Sequence, residues 1–328
     1  MKILVAGGAG YIGSHCVKIL CERGYDVVVV DDLSTGHLES VKVKTYIGDI
    51  RNQEFLDDVF LKEKVDAVIH FCAKSLVGES MKDTIGYFDN NVFGTLSLLK
   101  AMAKADVKKI VFSSSAAVYG EHLVMPITEN YTTIPTNPYG ETKLMMEKML
   151  KWCEAAYGFK YVSLRYFNVA GADQSGKIGE DHNPESHLIP IILQVALGKR
   201  DGLTVFGNDY DTKDGTCIRD YIHVVDLIDA HIKSLEYLFK EEKSEIFNLG
   251  SQSGYSVLEI IEAAREVTKI DIKYQIGPRR IGDPAKLIAS SGKINKILGW
   301  KPQYGIKEII ETAWNFHKNH PNGYKTKE

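Results

Sequence analysis

Tyr139 and Lys143 stand four residues apart in NPYGETK, downstream of the serine run Ser113, Ser114 and Ser115. On a helix, positions i and i+4 share a face, so an ammonium there can sit beside a phenol and favour its ionised form. Asn137 can cap such a helix and Pro138 can open it. Tyr139 then lies in the first turn, where the positive end of the helix dipole acts in the same direction. Moving a phenol from a pKa of about 10 to about 7 takes about 4 kcal/mol, roughly what one cation at about 4 Å supplies at an effective dielectric of about 20. The expectation is a general base usable at neutral pH. Of the 17 tyrosines only Tyr139 has a lysine four residues on. About one such pair arises by chance at ordinary lysine usage, so the surroundings must carry the reading.

A base next to a serine becomes informative if a hydride acceptor lies nearby. Gly7, Gly10 and Gly13, spaced as GxxGxxG, follow the apolar run ILVA and open a helical stretch. That placement gives a pyrophosphate close backbone approach, free amides and a helix N-terminus. Asp31 ends the run VVVV, 18 residues past Gly13. A carboxylate there can bind both ribose hydroxyls and repels a 2′-phosphate, and Asp32 strengthens the repulsion, so NAD is expected over NADP. Asp49 and Ile50 follow the third β-rich run and are placed to flank an adenine. Phe71, Cys72 and Ala73 follow the fourth and are placed to line the nicotinamide side. Taken singly, Ile50 and Phe71 fit simple loop packing nearly as well.

These residues need a frame that brings strand ends together. Strands are expected at 3–6, 27–30, 43–47, 66–70, 109–113 and 161–166, and helices at 11–22, 52–63, 91–105 and 138–156. The alternation predicts an α/β fold, a Rossmann-type doubly wound parallel sheet. After Asn168 the texture changes, and residues 169–219 are rich in Gly, Asp and Asn, which suggests loops of a second lobe built over a ligand. HVVDLIDAHIKSLEYL and IFNLG then read as a helix and a strand that rejoin the first sheet, and SVLEIIEAAREVT as a later helix. The expected division is an NAD-binding domain at 1–168, rejoined by about 220–250, and a smaller, discontinuous α/β substrate lobe at 169–219 and 251–328. The 138–156 helix carries Leu144, Met145, Met146, Met149, Leu150, Trp152 and Cys153, more apolar surface than one stripe needs. It is either sandwiched within the monomer or part of a dimer interface.

The whole chain narrows the partners. Forty basic residues against 43 acidic ones give a net charge of −3 over 328 residues, so no general attraction to nucleic acid or anionic membrane is expected. No span of about 20 apolar residues appears, and no signal-length apolar stretch follows Met1. The five cysteines, at 16, 21, 72, 153 and 217, are odd in number and lack a CxxC pair. They read as buried thiols in a reducing cytoplasm.

The motifs GGAGYIGSH, DDLSTG, GDIRN, VIHFCA, VGES, FDNNVFGT, FSSSAAVYG, NPYGETK, RYFNVAGA, FGNDY, DGTCIRDYIHVVDL, FNLG, RRIGDPA and LGW together resemble the UDP-glucose 4-epimerase family of extended short-chain dehydrogenases. The likeness runs from residue 2 to about residue 323. It implies that Ser115 and Tyr139 contact the sugar 4-hydroxyl, and that Lys143 holds the nicotinamide ribose and tunes Tyr139. Tyr11, Ile12, Asp31, Asp49, Ile50, Phe71, Asn90 and Phe167 would surround NAD. The UDP of a UDP-hexose would be held by Asn168, Leu188, Phe206, Arg219, Arg280 and Asp283, with Tyr221 nearby. A planar guanidinium binds two oxygens at once, so Arg219 and Arg280 suit a diphosphate clamp, the bland alternative being a surface ion pair. The resemblance also implies a homodimer.

Related sugar-nucleotide dehydratases and decarboxylases place an acidic residue just after the active-site Ser or Thr, whereas Ser115 is followed by Ala116, Ala117 and Val118. A cycle of oxidation and return is therefore expected rather than elimination. A regulatory NAD-binding protein without catalysis would carry a damaged Ser, Tyr and Lys set, and here all three are present. Three positions depart from the family pattern: Ser75 where a lysine is common, with Lys74 one place earlier; His187 where asparagine is common beside the UDP; and Leu287 at the position gating the sugar pocket. Leucine is smaller than the tyrosine that excludes N-acetyl sugars, so additional activity on UDP-N-acetylhexosamines is expected. GEDHNPESH, at 179–187, mixes two histidines with carboxylates at irregular spacing. It is read as a solvated segment or substrate lid, with no metal expected.

Overall fold

Successive residues of a strand face opposite sides of its sheet, and here each side has its own core. The computed structural model describes residues 1–122, 124–280 and 284–324. Ile3, Val5, Val27 and Val29 enter one apolar cluster with Cys16, Leu20, Leu227 and Leu235. Their neighbours Leu4, Ala6, Val28 and Val30 enter another with Leu56, Leu98, Met102 and Met146. A sheet buried on both faces needs near-continuous apolar strands, which is what ILVA and VVVV provide.

The first half runs β1 (Lys2–Ala6), α1 (Tyr11–Glu22), β2 (Asp26–Asp31), β3 (Lys44–Ile47), α2 (Gln53–Glu63), β4 (Ala67–His70), α3 (Val77–Ser80), α4 (Thr84–Tyr87), α5 (Gly94–Lys104), β5 (Lys109–Ser113), α6 (Pro138–Tyr157) and β6 (Lys160–Tyr166). The second runs β7 (Asn168–Ala170), α7 (Leu188–Ala196), β8 (Leu203–Phe206), β9 (Ile218–Arg219), β10 (Tyr221–His223), α8 (Val224–Glu241), β11 (Glu245–Leu249), β12 (Tyr255–Ser256), α9 (Val257–Thr268), β13 (Tyr274–Gly277), β14 (Lys286–Leu287), α10 (Gly292–Leu298) and α11 (Ile306–Asn319). The main sheet has the order β11-β6-β5-β4-β1-β2-β3, and every pairing is parallel. From β1 the chain winds outward through β2 and β3, then returns to place β4 on the other side of β1. The crevice beyond the carboxyl ends of β1 and β4 is the switch point where doubly wound sheets bind ligands.

Two expectations needed correction. The helix expected at 91–105 begins instead at Gly94, because Phe88–Phe93 form a π-helical turn continuous with α4. The loop-rich stretch after Asn168 also contains α7, whose sequence LIPIILQVA is apolar on nearly every side. Such a helix has no polar face to reveal its period, and it is buried with Ile260, Ile261, Ile309 and Ile310 in a third core. Around that core lie three small sheets, β10-β7, β12-β9-β14 and β13-β8. No described helix is long and apolar enough to cross a membrane.

Candidate active site

The helix bearing Tyr139 starts as its sequence dictates. Asn137 Oδ1 accepts the Gly140 N–H at 2.9 Å, Pro138 occupies the first position, and Tyr139 follows in the first turn. Tyr139 is 9% exposed and Lys143 3%. Lys143 Nζ donates to the Ser113 carbonyl at 2.7 Å and lies 5.9 Å from the centre of the Tyr139 ring. Ser115 Oγ accepts the Ala117 N–H at 3.1 Å and so caps the turn Ala116–Val118. The carboxyl end of β5 thus delivers the serine to the phenol.

The expected depression of the phenol pKa does not arise from the protein groups alone. Burial raises the Tyr139 pKa above its usual value, and the adjacent Ser115 hydroxyl recovers only part of that. Burial also lowers Lys143 to about 7, against a smaller opposing pull from Cys72 and Glu147. A cation that is itself desolvated is a weaker counter-charge than one at the surface.

Beneath this pair is a buried network that motif reading missed. Glu147 Oε1 accepts from Ser114 Oγ at 2.5 Å and from Arg165 Nε at 2.9 Å, and Glu147 Oε2 accepts from Arg165 Nη2 at 2.5 Å. Arg165 Nη1 donates to Tyr119 Oη at 2.9 Å, and Tyr119 Oη donates to Asn248 Oδ1 at 2.7 Å. The signal was available, since Glu147 lies four residues past Lys143 on the same helix face.

The glycine turn forms a cradle for a pyrophosphate. Gly7 has φ +79°, and a Cβ there would stand 2.7 Å from the Cys72 backbone nitrogen. A Cβ on Gly13 would meet the Gly7 carbonyl oxygen at 2.0 Å. Gly10 caps α1 without a side-chain hydrogen bond, leaving the first amides for a ligand. Gly13→Ala is therefore expected to push the turn apart and to yield purified protein with little bound dinucleotide; a full complement of nucleotide in extracts of the variant would contradict this.

Around the cradle, Asp31 is 6% exposed at the end of β2, with Oδ2 accepting the Ala9 N–H and Oδ1 the Leu33 N–H, both at 2.9 Å. Burial pushes its pKa up. Asp32 is exposed and accepts the Ser34 N–H. Asp49 is held by Arg51, which keeps its carboxyl below the usual range. Ile50 is buried in the core beside Gly94, and Phe71 packs 4.9 Å from the His231 ring, so both have packing roles as well. Cys72 and Ala73 are half-buried, and burial pushes the Cys72 thiol up. Ile12 packs on the core, and Tyr11 Oη donates to the Gly171 carbonyl at 2.6 Å. Asn90 Nδ2 donates to Asn91 Oδ1, while Asn91 binds Lys74 and Thr142 and so ties the π-turn to α6. Lys74, the neighbour of Ser75, is drawn away to Asp83 at 3.2 Å.

Short strands gather most of the remaining candidates. Asn168 pairs with Tyr221, and Arg219 with Leu287. Between Arg219 and Tyr221 sits Asp220, fully buried, accepting from the backbone N–H groups of Ser251, Gln252 and Ala289 and from Ser251 Oγ. It pins these strands together and was not singled out in the sequence. Leu287 and Phe167 pack with Val118, Tyr119 and Leu144, which joins the small sheets to the turn after Ser115. Arg219 Nη1 donates to the Ile218 and Pro284 carbonyls. Arg280 lies over Phe206 with Cζ 4.0 Å from the ring centre. Leu188 opens α7 and His187 caps it. Asp283 lies outside the described residues. In the segment 179–187 the solvated alternative does not hold for Glu180 and Glu185, which are buried, while His187 is exposed; one ligand atom each from Glu180, His182, Glu185 and His187 falls within 4.8 Å of the others.

The family model described as GDP-mannose 4,6 dehydratase matches residues 4–313. A UDP-glucose 4-epimerase of Halalkalibacterium halodurans is 59% identical over 328 residues, covering 99% of this chain and 98% of that protein. This chain belongs to the UDP-glucose 4-epimerase family. A solved UDP-glucose 4-epimerase matches the fold with a TM-score of 0.98 at 54% identity, over 99% of this chain and 100% of the other. The Bifidobacterium longum UDP-glucose 4-epimerase, solved in complex with NAD+ and UDP, gives 0.94 at 42% identity, over 99% and 100%. In this epimerase-family chain the turn after Ser115 offers two alanines and a valine.

Proposed function

We infer that this protein interconverts UDP-galactose and UDP-glucose by transient oxidation at sugar carbon 4, with NAD as a bound cofactor. The observation that carries the reading is the meeting of buried Tyr139, Ser115 and Lys143 beside the cradle of Gly7, Gly10 and Gly13, with no carboxylate in the turn Ala116–Val118. When bound, NAD would supply a hydride acceptor and donor for carbon 4. Tyr139 Oη takes the proton of the 4-hydroxyl and later returns it, while Ser115 Oγ holds that oxygen in place. Lys143, tethered to the Ser113 carbonyl, favours the phenolate. Asn168, Leu188, Phe206, Arg219, Tyr221, Arg280 and Asp283 hold the UDP, so most binding energy falls on the nucleotide and the keto-sugar is free to turn its other face.

The proposed division of labour assigns 1–168 and about 220–250 to NAD, and 169–219 with 251–328 to the UDP-sugar. Phe93 at 44%, Leu96 at 38% and Trp152 at 73% exposure leave apolar surface around the packed helices α5 and α6. That surface supports a homodimer, and we place the enzyme in the cytoplasm on its scattered cysteines, odd in number and without a CxxC pair.

The test is to incubate the purified protein with UDP-galactose without added NAD and to follow UDP-glucose. No product, with or without NAD, overturns the reading. Leu287 bears on breadth. It is half-buried beside Phe167 in the cluster next to the Ser115 turn, and its small side chain leaves room for an N-acetyl group. UDP-N-acetylgalactosamine is expected to be turned over. Leu287→Tyr should lower that rate at least about tenfold while sparing UDP-galactose, since steric selection by one pocket residue is worth roughly 1–3 kcal/mol. Equal loss on both sugars would remove Leu287 from the selecting role.

A further inference from the structure

The stretch 179–187 is irregular in sequence, but folding focuses its side chains on one point. Nδ1 of His182 stands 3.2 Å from Glu180 Oε1 and 4.0 Å from Glu185 Oε2, and Nδ1 of His187 also contacts Glu180 Oε1. Glu180 is 4% exposed and Glu185 9%. Glu185 Oε1 accepts the backbone N–H groups of Ser186 and His187 at 2.7 and 2.8 Å. That leaves its Oε2 turned into the cluster with no hydrogen bond among the described residues. Nearby, His317 Nε2 is buried without a partner among the described residues, in the field of Glu180 and Asp181. The edge of the Tyr11 ring closes another side, 6.5 Å from His182 centre to centre.

Two carboxylates removed from water need positive charge. Among the described residues their ion-pair partners are His182 and His187. One dication can supply the same charge to neutral imidazoles, and it can also use the idle oxygen of Glu185.

We propose that Glu180, His182, Glu185 and His187 form a binding site for a divalent transition-metal ion of the zinc type. Two imidazole nitrogens and two carboxylate oxygens are a normal donor set for tetrahedral zinc. With metal–ligand bonds of about 2.0–2.1 Å, tetrahedral ligands stand roughly 3.3 Å apart. The 3.2 Å pair already matches, the 4.0 Å pair closes slightly, and the His187 contact to Glu180 lengthens as metal replaces the shared proton. All four ligands lie between Glu180 and His187, so the ion would brace this loop directly before α7 begins at Leu188.

The site stands or falls independently of the epimerase reading, because the test needs no turnover. The full-length protein, dialysed against a chelator, is titrated calorimetrically with zinc chloride alone, alongside Glu180→Gln and His182→Ala. The expected result is one equivalent of zinc per chain, with affinity on the order of 100-fold weaker in either variant. Cobalt(II) in place of zinc should give a visible ligand-field spectrum without thiolate charge-transfer bands, which keeps the test alive if a variant folds poorly. No stoichiometric binding, unchanged binding in both variants, or thiolate bands assigning the metal to the cysteines would each overturn the proposal.

Discussion

Tyr139→Phe is expected to lower kcat by about 10²–10⁴-fold on UDP-galactose, with NAD content and KM close to those of the parent. The range is that of a positioned general base. Phenylalanine keeps the packing of a 9% exposed ring and removes only the oxygen. A loss of kcat with KM unchanged is the mark of an interaction made in the transition state. The parent should gain activity with rising pH as the phenol ionises, and the variant should not. Lys143→Met should move that rising limb to higher pH, because removing a cation beside a phenol raises its pKa. A variant retaining more than about a tenth of the parent kcat would assign the base to another group.

The pH behaviour also marks where sequence reasoning reached its limit. Spacing put Tyr139, Lys143, Asn137 and Pro138 on one helix start, and the structure has them there. Spacing could not supply burial, which is set by α6 packing onto the sheet through Met146 and Leu150 and onto Val118 and Tyr119 through Leu144. Burial reverses the direction in which the protein alone moves the phenol. Asp31 and the glycine turn were legible because their chemistry is local, one turn and one strand end apart. Asp220 was not, since its role depends on three backbone amides drawn from 251–289. The same holds for α7, which lacks a polar face, and for Glu180, His182, Glu185 and His187, whose convergence no linear period encodes.

Glu147→Ala is expected to cost about 3–5 kcal/mol of stability, the range for removing one partner of a buried ion pair. The carboxylate side chain is 4% exposed and its Arg165 partner 5%. With the carboxylate gone, Arg165 keeps a charge answered among the described residues by the Tyr119 oxygen, and Ser114 Oγ loses its acceptor. The penalty therefore lies mainly in stranding the guanidinium, and this can be separated from loss of contacts. Pairing Glu147→Ala with Arg165→Met removes both charges, so the double variant should lose clearly less than the sum of the two single losses in urea midpoint. Additive losses would mean that the pair is not coupled and that cavity formation dominates. Glu147→Gln isolates the electrostatic part, because the amide retains an oxygen for Ser114. Glu147 is one of the groups supporting the charge of Lys143, whose pKa burial has already lowered to about 7. Losing that support leaves Lys143 less often cationic at neutral pH, and kcat should fall several-fold even where the fold survives. The network thus holds Ser114 and its neighbour Ser115 in position and keeps a charge on the lysine, two requirements that the visible Ser, Tyr and Lys motif cannot meet alone.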